Sequence, residues 1–151
     1  MCFWFLSSQS FSSAFVIGLL SHRPSVIPEL TLAENLGHAA RLAGIDAEKV
    51  ERALRAVGLE GVASRRAGAS SFGMLRRTEV ARLLITAPRL LLLDEPFTGL
   101  DAEAQDLIGA LVARTTSDSG AVVMVSHDSG HLVSHTDRLL SMSQGRLDQK
   151  S

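Results

Sequence analysis

A chain of 151 residues is long enough for one ordinary domain and too short for two of normal size. With 46% hydrophobic and 21% charged residues and a formal net charge of -1, it has a globular balance and no bulk basicity to make nucleic acid a partner. A single cysteine, Cys2, excludes an internal disulfide framework, and the 15 basic residues include only two lysines, Lys49 and Lys150.

The opening 21 residues, MCFWFLSSQSFSSAFVIGLLS, carry no charged side chain, and five Ser and a Gln interrupt them within residues 7–13. One reading is a membrane span or a secretory signal, although a basic start and a small-residue cleavage site are lacking. The other is an irregular lead-in followed by a buried strand from Phe15 to Leu20. Further on, Thr31 and Glu34 have capping-box spacing, and Leu32, Leu36, Ala40 and Ala43 share one helical stripe that Gly44 ends. Asp46 is placed to cap a second helix carrying Val50, Ala53, Leu54 and Val57, which Gly58 stops. GVASRRAGASS is loop-like, and FGMLRRTEVARLLI is a third helix whose buried stripe includes Val80, Leu83 and Leu84.

After Pro88 the pattern changes to strand and helix in alternation. Leu90–Leu93 is an apolar strand, and Leu107, Ile108, Leu111 and Val112 mark a helix. AVVMVS is a further strand, a short helix lies near Leu132 and Val133, and Gly145 turns between two last strands. This alternation predicts a mostly parallel sheet in an α/β fold, with strands buried on both faces.

The chemistry centres on RLLLLDEPFTGLD, Arg89 to Asp101, where four leucines run straight into Asp94 and Glu95. Folding alone does not favour two adjacent carboxylates at the end of an oily segment. Ligands of α/β sheets sit beyond the carboxyl ends of the strands. There one carboxylate can hold Mg²⁺ through its waters while a second orients or deprotonates an attacking water. Asp101 follows as a further polar group or a helix cap. The plainer alternative is a solvated acidic turn. Ser71 and Gly73 begin the third helix, where free N–H groups and the positive dipole end suit an anion, or where a serine merely caps the helix. His127, after its strand, shares the sheet edge with Glu95 and can hydrogen-bond a phosphate or a water, or is simply polar surface. His127, His131 and His135 are spaced for metal, but nothing supplies a fourth ligand.

LLLLDEPFTGLD resembles the Walker B and D-loop segment of ABC-type ATPase domains, the motors of ATP-driven transporters. SSFGMLRRTEVARLLITAPRLLLLDEP is similar to the signature helix leading into that strand, and AVVMVSHD to the strand with its switch histidine. IGLLSHRPSVIPELTLAENL is similar to the Q-loop region. The resemblance spans about Ile17 to Arg146 and implies ATP and Mg²⁺ as cofactors. It makes Asp94 the magnesium-associated aspartate, Glu95 the catalytic base, His127 the switch histidine and Asp101 the D-loop aspartate. Ser71 and Gly73 take the signature positions that meet nucleotide across a head-to-tail dimer.

The implied fold is α/β, a partial P-loop NTPase of the ABC type, with a mostly parallel sheet and an inserted helical subdomain. Residues 1–16 would be a lead-in and 17–151 the ATPase part, with the helical subdomain at about 29–86 and the core at about 87–151. A membrane permease and a second ATPase subunit are the implied partners, on the cytoplasmic face of the cell membrane.

Three departures qualify this. No G-x-x-x-x-G-K-[ST] phosphate cradle surrounds either lysine, so the sequence is expected to be truncated before the Q-loop and inactive alone. Where the family has Gln, this chain has His22 or Arg23, and Phe72 replaces the first signature glycine. The alternative function is a non-catalytic module pairing with an intact ATPase or a permease. SHRPSVIPELTLAENLGHAARLAG is somewhat similar to the ATPases of cytochrome c biogenesis haem exporters, and almost as similar to those of multidrug or nutrient transporters.

Overall fold

The computed structural model describes residues 17–127 and 129–149. The lead-in of residues 1–16, and with it the choice between a membrane segment and an irregular stretch, lies outside the described residues. Among the described residues no helix is long and apolar enough to cross a membrane.

Strand β1 (Ile17–Leu20) is followed by helix α1 (Leu32–Leu42) and helix α2 (Ala47–Ala56). The capping box of α1 forms: Thr31 Oγ1 accepts from the Glu34 N–H and the Glu34 carboxylate accepts from the Thr31 N–H. Asp46 stands at the start of α2 in extended conformation, but its side chain makes no capping bond there, contrary to expectation. Gly44 and Gly58 take positive φ at the ends of these helices, as the chain reversals there require. The stretch before α3 is not a featureless loop, because it holds two 3-10 turns at Glu60–Val62 and Ala67–Ala69.

Helix α3 (Phe72–Thr86) packs against α1, α2 and β1, and also against α4 (Ala102–Ser117). It is enclosed on most sides, so an apolar stripe describes it poorly. Val80 and Leu83 are buried as expected and Leu84 is only half-buried, while Arg76, Thr78 and Glu79 are also buried.

Strand β2 (Leu90–Asp94) lies at the centre of a parallel three-stranded sheet in the order β1-β2-β3, with β3 at Ala121–Val125. In register, Leu20 sits beside Leu93 and Asp94 beside Val125. A short helix α5 (Ser129–His135) and an antiparallel hairpin of β4 (Leu140–Ser143) and β5 (Arg146–Gln149) complete the described chain, with Gln144 and Gly145 in the left-handed turn between them.

The expectation of strands buried on both faces needs correction. In β1, Gly18 is packed and Leu20 is buried, whereas Ile17 and Leu19 are exposed; in β3, Val123 and Val125 are exposed. Parallel register aligns Leu19, Leu92 and Val123 on that same side. Among the described residues the helices cover one face and leave the other more open, so exposure alternates along each strand, fully buried positions occurring in β1 and β2 and only half-buried ones in β3.

The turn from α4 into β3 sets where the sheet edge ends. The Gly120 N–H donates to the Thr115 carbonyl at 2.8 Å and the Ala121 N–H donates to the Arg89 carbonyl at 2.8 Å. A Cβ on Gly120 would fall 2.8 Å from each of those oxygens, closer than backbone atoms tolerate. Gly120→Ala is expected to lower stability by about 1–3 kcal/mol, read from urea denaturation.

Candidate functional site

Asp94 and Glu95 emerge at the carboxyl end of β2 because the Leu run ends there. Leu91 and Leu93 enter the core, and the alternation leaves Asp94 exposed. Glu95 then leaves the strand with φ of 48°, a left-handed conformation that costs a non-glycine residue about 1–2 kcal/mol. Its N–H donates to the Val125 carbonyl at 2.9 Å, so the bend stays tied to the neighbouring strand.

The bend aims the Glu95 carboxylate across to the end of β3. Oε1 accepts from the backbone N–H of His127 at 2.8 Å and lies 2.8 Å from its Nδ1. Oε2 accepts from the Ser126 hydroxyl at 3.1 Å and from the Thr98 hydroxyl at 3.3 Å. The His127 ring contact is the largest of the causes that hold the Glu95 carboxyl below the usual carboxylate range. An ionised carboxylate only accepts, so the Nδ1 facing it carries the hydrogen, on a ring whose side chain is 82% exposed.

Asp94 differs in kind. Its carboxylate is exposed and accepts no hydrogen bond among the described residues. His22 is exposed in the turn that follows β1, one residue after Ser21, and so reaches the same sheet edge.

The remaining candidates lie apart from the Glu95 network. Ser71 caps α3 through the Met74 N–H at 3.3 Å. Apart from its chain neighbours and the backbone of its own helix, no described atom comes within 4 Å of a Cβ built on Gly73, so no neighbouring element demands glycine there. Asp101 caps α4 through the Ala104 N–H at 2.8 Å and pairs with Arg77 at 3.1 Å. Arg77 also pairs with Glu103 at 3.1 Å and donates to the Val57 carbonyl at 3.1 Å, which binds the end of α2 to the start of α4. His135 stacks on Phe97 with ring centroids 5.4 Å apart, and among the described residues no group of three or more metal-binding side chains comes together.

The main omission of the sequence reading is Arg76. Its side chain is 1% exposed, and it donates to the Ser21 carbonyl and, at 3.1 Å, to the Glu95 carbonyl. Glu79, equally buried, lies 3.7 Å from it and accepts from the Ser25 N–H at 2.8 Å. Two opposite charges three residues apart on one helix were the available signal.

Comparison with known proteins adds a family. The ABC transporter family matches residues 8–98, more than half of the chain. The chain is 35% identical over 136 residues to the Fe(3+) ions import ATP-binding protein FbpC of Pseudomonas fluorescens, covering 88% of this chain and 39% of that protein. It is 36% identical over 137 residues to the thiamine import ATP-binding protein ThiQ of Cereibacter sphaeroides, covering 87% and 59%. With the spermidine/putrescine import ATP-binding protein PotA of Pseudomonas aeruginosa it shares 35% over 131 residues, covering 83% and 36%. The chain thus spans between about a third and three fifths of the length of these relatives. Their names give no support to the haem-exporter subtype.

Proposed function

The chain belongs to the ABC transporter family of ATP-binding proteins, and on that premise we propose that Asp94, Glu95 and His127 form the magnesium-holding and water-activating side of an ATP hydrolysis site. The observation that carries this reading is the 2.8 Å contact between Glu95 and His127 at the carboxyl edge of the parallel sheet.

Asp94 fits a magnesium ion, which favours one or two carboxylates together with phosphate oxygens. Its carboxylate is open to solvent and accepts no hydrogen bond among the described residues, although the charge of Arg76 lies near enough to act on it. When bound, that ion would offset the negative charge of the β- and γ-phosphates. The triphosphate itself fits less well: no phosphate cradle occurs in these 151 residues, so its grip has to come from groups outside them.

Glu95 is the proton acceptor for the attacking water. The two longer bonds, from Ser126 and Thr98 to Oε2, are the ones a water would displace, while the pair of 2.8 Å contacts to Oε1 keeps the carboxylate aimed. His127 supports that aim through Nδ1, and its exposed ring, when protonated, can donate to a phosphate oxygen. His22 stands at the neighbouring strand end, and it or Arg23 takes the place of the family's glutamine.

Ser71, Gly73 and Asp101 belong in this reading to a second contact, with nucleotide held by a partner ATP-binding subunit. The α3 terminus with an unobstructed Gly73 supports it. The assembly would sit with a membrane permease on the cytoplasmic face of the membrane and take part in ATP-coupled transport. The relatives are named for iron, thiamine and polyamines, so residues shared with all of them do not choose cargo.

The test joins to Ile17 an N-terminal segment that carries the G-x-x-x-x-G-K-[ST] cradle, taken from an intact ABC-type ATPase. The chimera is expected to hydrolyse ATP when magnesium is present. Glu95→Gln is expected to lower kcat by about 100-fold or more with ATP binding retained. A folded chimera that binds ATP and hydrolyses it equally well with Glu95→Gln would overturn the assignment.

A further inference from the structure

Where β1 and β2 end, their ladder stops at the pair Leu20 and Leu93, and the two chains diverge into the His22 turn and the Asp94–Glu95 bend. A divergence of this kind leaves backbone carbonyls without ladder partners inside the protein. Arg76 supplies those partners. One terminal nitrogen donates to the Ser21 carbonyl, and the other donates at 3.1 Å to the Glu95 carbonyl, with that of Asp94 at 3.4 Å.

Glu79 completes the arrangement from the next turn of α3. It faces Arg76 at 3.7 Å and accepts from the Ser25 N–H at 2.8 Å. The ion pair therefore grips both ends of the Ser21–Ser25 turn as well as the acidic bend. Arg82, a further turn along, donates to the Leu19 carbonyl at 2.8 Å. These interactions span 54 to 63 residues of sequence and start from one helix.

We propose that Arg76 is the positioning residue for Glu95: its guanidinium, held by Glu79, fixes the left-handed bend that aims the carboxylate at His127. This rests on the reading of Glu95 as the proton acceptor but acts on backbone, away from any nucleotide. The bend is strained at φ of 48° and is held on one side by Val125 and on the other by Arg76. A lysine keeps the charge beside Glu79 but, as a point cation on a flexible stem, lacks the planar fork that spans two carbonyls. The same staple ties α3 to the Ser21 turn and to the Asp94–Glu95 bend.

Amide hydrogen exchange of the 151-residue chain, followed by NMR, tests this without nucleotide. Arg76→Lys and the double variant Arg76→Met with Glu79→Leu are compared with the parent, reading the Glu95 amide against that of Leu111 in the core of α4. Exchange at Glu95 is expected to accelerate at least tenfold relative to Leu111 in both variants. Equal acceleration at the two sites would show that Arg76 contributes only global stability, and an unchanged Glu95 amide would show that Val125 alone holds the bend. Either result overturns the proposal and leaves the role of Glu95 in hydrolysis to be decided by the chimera.

Discussion

Titrated alone with ATP and magnesium, the 151-residue chain is expected to show no saturable binding at micromolar concentrations. A phosphate cradle contributes three to five charge-assisted hydrogen bonds at about 1.5–3 kcal/mol each, together about 5–15 kcal/mol. A micromolar ligand is held by only about 8 kcal/mol in all. The groups that remain do not make up the loss. Asp94 and Glu95 repel phosphate unless a cation intervenes, and a helix start such as that of α3 offers an anion about 0.3–1 kcal/mol. Isothermal titration calorimetry is the measurement, and a dissociation constant in the micromolar range would show that these residues grip the triphosphate by another route.

Arg76→Met is expected to be the most destabilising single substitution near the site. It leaves Glu79 buried, 1% exposed, without its ion-pair partner and with only the charge of Arg82 to offset it, and it strips donors from the carbonyls of Ser21 and Glu95. Breaking one half of a buried ion pair costs about 3–5 kcal/mol. Protonation of Glu79 limits the loss, since burial already pushes that carboxyl up and Arg76 counters the rise. Adding Glu79→Leu removes the under-compensated charge and is expected to recover about 1–3 kcal/mol, the size of a coupled pair in a double-mutant cycle. Urea denaturation of the parent, both single variants and the double variant gives the coupling. Additive losses would mean that the two side chains do not act as a pair.

What the sequence made legible, and what it hid, divide along a physical line. The α1 cap and the acidic edge were readable because their partners lie near in sequence or at equivalent strand ends: Thr31 and Glu34 are three residues apart, and Glu95 and His127 both follow strands of one parallel sheet. The spacing of Arg76 and Glu79 hinted at a pair, but their role was not readable, because their partners at Ser21 and Ser25 lie more than fifty residues away and are backbone atoms, which leave no side-chain signature. Asp101 was left as a polar group or a cap, and the structure makes it a cap joined to Arg77. Asp46 had the right residue type for a cap, yet its side chain makes no such bond.

The open side of the sheet has a practical consequence. Leu19 and Val123 flank Leu92 there in register, with Ile17 and Val125 nearby, and a contiguous oily area on a protein surface recruits whatever oily material is at hand. A preparation of this chain is therefore expected to bind apolar dyes and to cling to chaperones and column resins. Its yield would depend on co-expression with material that shields those five side chains.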